Sequence, residues 1–127
     1  MSQLLPVFVF ITNQIRLYHW HTRNYARHIA SGELYNSLDK LIDNFIETLQ
    51  GKMEDDDYRI EYQSIKVKYN KLDDEDIIEV LRNFKDFLVN EVESYLNGME
   101  MKNTDLKNIR DEMLNNVNRT IYLFSLE

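Results

Sequence analysis

Apolar residues recur at intervals of three and four along most of the chain. Leu4, Phe8, Ile11, Ile15 and Tyr18 form the first such stripe. That spacing lines one face of an α-helix, so a helix is predicted over about 3–22. Pro6 falls in its opening turn, where the missing N–H costs nothing. Leu34, Leu38, Leu41, Phe45 and Leu49 form a second stripe and predict a helix over about 25–50. Asn24 is its expected N-cap and Gly51 its expected C′ residue. Gly32 is a weak point inside it. Ile77, Leu81, Phe84, Leu88, Val92 and Tyr95 predict a third helix over about 74–97, capped by Asp73 or Asp74 and closed by Gly98. Leu106, Ile109, Met113, Val117, Ile121 and Phe124 predict a fourth over about 104–125.

Residues 52–73 break the pattern. An acidic run, MEDDDY, opens them, and Ile65, Val67 and Tyr69 then alternate with lysines. Alternation of this kind predicts an extended connection or a short strand laid over the helices. The acidic run lacks the ligand spacing and glycine of a calcium loop and reads as a solvated turn. Four amphipathic helices, joined tightly in two pairs with one long connection between the pairs, predict an all-α chain. The architecture expected is a ferritin-like four-helix bundle with a central crossover, as a single domain over residues 1–127.

Composition agrees with that picture and narrows the chemistry. One proline and three glycines among 127 residues suit long helices rather than a turn-rich β fold. No cysteine is present, which excludes disulfides, thiolate catalysis and cysteine-ligated metal sites. The net charge is −7, and the basic residues are scattered, so duplex DNA binding is disfavoured. The apolar run from Leu4 to Ile11 is too short to span a bilayer and lacks the flanks of a signal peptide. A cytoplasmic protein with no membrane partner is expected.

Chemistry concentrates in one stretch. His19, His21 and His28 are the only histidines, and Asp43 and Glu47 follow one helical turn apart. Imidazole with carboxylate is a ligand set for iron or zinc-like ions. No Glu-x-x-His motif exists, and the third and fourth helices carry no histidine, so a di-metal centre inside one chain is excluded. His28 precedes Asp43 by fifteen residues, about 22 Å along a helix. One copy of the helix cannot bring them together. An antiparallel twofold partner can, since it sets its own His28 beside this chain's Asp43 and Glu47. His19 would join His28 within its own subunit, and His21 is expected at the surface.

These residues resemble the Dps family of miniferritins. His19-Trp20 looks like that family's His-Trp near the end of its first helix. His28, Asp43 and Glu47 look like its second histidine and carboxylate pair. The resemblance covers residues 15–50. It implies a homo-oligomer with an inter-subunit ferroxidase site at a dimer twofold, with Trp20 and Tyr25 at the contact. It also implies a hollow dodecamer that oxidises and stores iron. The link from His19 to His28 is shorter than the family's, and the lysine-rich DNA-binding tail is missing. In these respects the chain is similar to small ferritin-like proteins of tailed phages and large DNA viruses, which share the phrase HW-x-T-x-x-Y-x-x-H. A non-catalytic structural or adaptor protein of viral origin is the alternative, in the host cytoplasm or the virion.

Overall fold

The computed structural model describes residues 1, 3–53, 59–60, 66, 68–69 and 71–126. Among them every regular element is helical. Helix α1 is Leu5–His21 and α2 is Tyr25–Lys52. Helix α3, Asp76–Asp86, runs on through a π-helical segment, Phe87–Val92, into the short α4, Glu93–Asn97. Helix α5 is Thr104–Phe124. The all-α class expected from the stripes is therefore what the chain adopts. No strand occurs among the described residues. Ile65 and Val67, where a short strand was expected, lie outside them.

The caps explain where the helices start and stop, and they correct two expectations. Asn24 caps α2 as expected, its side-chain oxygen accepting the Arg27 N–H at 3.1 Å. Gly51 does not end α2. The helix continues to Lys52, no glycine takes a positive φ, and Met53 is the C-cap. The carboxylate of Asp74 does not cap α3 either. It accepts the Tyr18 and Thr22 hydroxyls at 2.7 and 3.1 Å, and the Asp73 carbonyl accepts the first helical N–H bonds instead.

Packing follows the stripes. Helix α2 lies between α1 and α5, and the rod formed by α3, the π segment and α4 closes the ring against α1 and α5. At one end of the bundle Arg27 of α2 bonds Tyr18 of α1, the Asp74 carbonyl before α3 and the Phe124 carbonyl of α5. At the other end the Met1 amino group meets Tyr95 of α4, and Lys52 meets Asn103 and Asp105 at the start of α5. Every neighbouring pair is therefore antiparallel. Helices α2 and α3 run the same way, so the connection between them returns from one end of the bundle to the other. Tyr69 of that connection stacks on Phe10 and accepts a bond from Asn13, both on α1.

Phe8 joins three elements at the centre. Its ring lies 5.6 Å from Phe45 of α2 and 5.6 Å from Phe87 of the π segment, and its side chain is fully buried. Burying one such ring contributes about 1.5–3 kcal/mol.

The π segment is the one irregularity. A wide turn inserts a residue, so beyond it the buried stripe moves by one position. Leu96 takes the core place that regular spacing assigns to Tyr95, which is only partly buried. The buried guanidinium of Arg110 on α5 donates to the Leu88 carbonyl inside this turn at 3.1 Å. The same Arg110 contacts Glu93 Oε2 at 2.7 Å, an ion pair without an aligned hydrogen bond. Arg110 and then Lys107 hold the Glu93 carboxyl well below the usual carboxylate range, at about 2.

Two outcomes are expected. Phe8→Ala should lower the free energy of unfolding by about 3–5 kcal/mol, read from urea denaturation, because a cavity opens where three elements meet. Glu93 has a depressed folded-state pKa, so its contribution is present above its ordinary value and lost as pH falls from about 4.5 towards 2. The difference in urea midpoint between the parent and Glu93→Gln should therefore be larger at neutral pH than near the bottom of that window.

Candidate metal centre

Three residues separate α1 from α2, and this tight corner brings two histidines together. His19 is in the last turn of α1 on the side facing α2, and His28 is in the first turn of α2 on the side facing α1. Their rings stack with centroids 3.8 Å apart and planes 14° from parallel. His19 Nδ1 lies 2.6 Å from the His28 carbonyl, and His28 Nδ1 lies 2.8 Å from the His19 carbonyl. Carbonyl oxygens only accept, so each Nδ1 carries a proton and donates it to the other residue's backbone. Ser31 completes the arrangement. Its hydroxyl donates to the His28 carbonyl at 3.1 Å and accepts from His19 Nδ1 at 3.2 Å.

A neutral ring protonated on Nδ1 has its lone pair on Nε2. Fixing the tautomer by an Nδ1–H bond to a carbonyl is how metal-binding histidines are commonly oriented. Both rings are partly exposed, and neither Nε2 has a hydrogen-bond partner among the described residues. Geometry limits what they can share. Two rings 3.8 Å apart and 14° from parallel do not have planes that meet near either ring. An ion about 2.1 Å from one Nε2 therefore cannot lie in both planes. Each ring can serve its own ion, or one can bind while the other supports it.

Gly32 belongs to this corner. Helix α2 runs through it without a break. A Cβ placed there would lie 2.9 Å from His19 Cε1 and 3.3 Å from its Nδ1. The glycine is the space that the His19 ring fills. Tyr35, one turn on, meets His19 edge-on at 5.3 Å and 78°. The guanidinium of Arg16 sits 4.9 Å from the Tyr35 ring centre and pairs with Asp39 at 2.9 Å. Ser31, Gly32, Tyr35, Arg16 and Asp39 therefore hold the histidines in place, and none was singled out as functional from the sequence. The signal available was a glycine inside a helix, four residues past His28.

The remaining expected residues stand apart. Asp43 and Glu47 are exposed one turn from each other on the outer side of α2, in no ion pair among the described residues. His21 is exposed, 3.8 Å from Asp73. Trp20 and Tyr25 are 66% and 77% exposed, so neither is packed within its own chain. No cluster of three or more metal-binding side chains forms within the chain among the described residues. No described helix is long and apolar enough to cross a membrane.

Residues 19–124 match the model of a family of unknown function, DUF5856. The chain belongs to that family. No curated protein and no solved structure matches it. The matched stretch begins at His19 and ends at Phe124, so it includes the histidine pair, the carboxylate pair and the Arg27 contact that ties α2 to the end of α5.

Gly32→Ala should move the His19 ring. The usual gain of about 1 kcal/mol from replacing a helical glycine by alanine should be absent, and the His19 ring resonances should shift while those of His21 stay in place. Thermal unfolding and imidazole NMR check both parts.

Proposed function

We propose that this chain is a ferritin-like, Dps-like iron-binding protein whose metal sites form between two copies. His19 and His28 come from one copy, and Asp43 and Glu47 from the other. The observation that carries this reading is the reciprocal lock that leaves Nε2 as the free atom of two adjacent imidazoles. The connectivity supports it, since antiparallel neighbours with one long crossover are the ferritin-like layout. Donor chemistry fits as well: imidazole retains ferrous iron, and carboxylates favour the ferric product. The net charge of −7 suits attraction and storage of cations.

Iron enters this reading as substrate and cargo. Two side-by-side histidines that cannot share one ion suit a reaction that uses ions in pairs. Two ferrous ions each give up one electron to hydrogen peroxide, its O–O bond breaks, and two protons complete two waters. Molecular oxygen is the other candidate oxidant. The chain's own part is to hold the two imidazole rings adjacent, each with its Nδ1 engaged, and to present Asp43 and Glu47 to the partner. Assembly beyond the dimer, up to a dodecameric cage, belongs to the same proposal, as does a cytoplasmic setting. DNA binding does not.

A second reading rests on the same histidines. Their reciprocal bonds tie α1 to α2, which is all that a non-catalytic structural or adaptor protein of viral origin would require of them. Mixing variants separates the two. Purified parent given ferrous iron and then peroxide under anaerobic conditions should show ferric absorbance. His28→Ala alone and Asp43→Asn alone should be nearly inactive. Co-refolded together they should recover roughly a quarter of the parent's activity, because half the dimers are mixed and one site of two in each is intact. Equal rates in parent and variants, or no recovery on mixing, would sink the shared site.

A further inference from the structure

Helices α2 and α5 leave a hollow of about 580 Å³ on their outer side, away from the histidine corner. Tyr25 and Ile29 of α2, Leu123 of α5 and Leu126 just beyond its end line it. Tyr25, Ile29 and Leu126 are among the large apolar side chains most open to water, at 77%, 44% and 53% exposure. Two charged residues stand on its rim, Glu33 on α2 and Arg119 on α5. Neither takes part in an ion pair among the described residues. Arg27, close by, is by contrast fully engaged with Tyr18, Asp74 and Phe124.

We infer that this face pairs with a second copy of the chain about a twofold axis, with Glu33 of each copy against Arg119 of the other. The argument is charge complementarity. A twofold contact sets residue i against j and j against i, so a face with one unpaired anion and one unpaired cation is its own complement. Net charge makes the pairing necessary as well as convenient. Two chains of −7 repel, so a purely apolar contact between them would be opposed at short range. Two crossed Glu33–Arg119 pairs offset that repulsion where the surfaces meet, while Tyr25, Ile29, Leu123 and Leu126 provide the apolar burial. The face lies on the α5 side of α2, whereas His19 and His28 lie on its α1 side. The contact is therefore distinct from that of the histidine pair, and it takes Tyr25, which the resemblance alone had set at the metal-site twofold.

Charge reversal tests the pairing. Mass would be measured by light scattering across a concentration series for the parent, Glu33→Arg, Arg119→Glu and the double reversal. Each single variant should weaken self-association by at least about tenfold, since it sets like charges against each other twice per contact. The double reversal should restore it. Both residues are exposed, so the fold should be retained, and far-UV circular dichroism checks that. A one-chain mass for the parent at every concentration would overturn the inference, as would single variants that associate like the parent. A double reversal that stays as weak as the singles would overturn it too. None of these substitutions touches His19, His28, Asp43 or Glu47. Ferrous oxidation on the same samples therefore reports on the metal site separately.

Discussion

Two protons, one on each of two imidazoles, organise the corner on which the functional reading depends. His19 and His28 donate to one another's backbone carbonyls at 2.6 and 2.8 Å. The pair thereby satisfies one orphan group, the His19 carbonyl in the last turn of α1, and adds side-chain donors from His19 and Ser31 to the His28 carbonyl in the first turn of α2. The tie sets the angle at which the chain reverses. It also chooses the tautomer of both rings. An element of folding and an element of chemistry are here the same pair of hydrogen bonds. That is why Gly32 cannot be weighed by helix propensity. Its cost to α2 is offset by the room it leaves for a ring that joins two helices.

The helices were largely legible from the chain, because spacing by three and four is a strong signal when Gly and Pro are scarce. The first stripe from Leu4 to Tyr18 is the buried side of α1, and Leu34, Leu38, Phe45 and Leu49 are buried as their spacing requires. Gly51 and Asp74 misled for physical reasons. A glycine ends a helix when the backbone turns to positive φ there, and this one does not turn. An aspartate caps when its carboxylate has nothing better to accept, and Asp74 has the Tyr18 and Thr22 hydroxyls. Burial pushes the Tyr18 hydroxyl above its ordinary pKa. It therefore stays protonated and acts as a donor.

The candidate site was legible only in part. The interval between His19 and His28 says that both lie near one corner, but no pattern in the sequence announces a stack or its reciprocal bonds. Ser31, Tyr35 and Arg16 enter through tertiary contacts that periodicity does not encode. The π segment was invisible for a related reason. Ile77, Leu81, Phe84, Leu88 and Val92 fit regular spacing on their own, and the inserted residue shows only in which of Tyr95 and Leu96 turns inward.

That wide turn has a consequence for alignment along the bundle axis. Apolar side chains attract without direction, so two smooth helices packed by them can slide by a turn at modest cost. The Leu88 carbonyl inside the wide turn, held by a guanidinium from α5, favours one axial setting. The irregular turn works as a keyway and Arg110 as its key. The register of α5 against the third rod is thereby fixed by a defect in one helix rather than by the regularity of both.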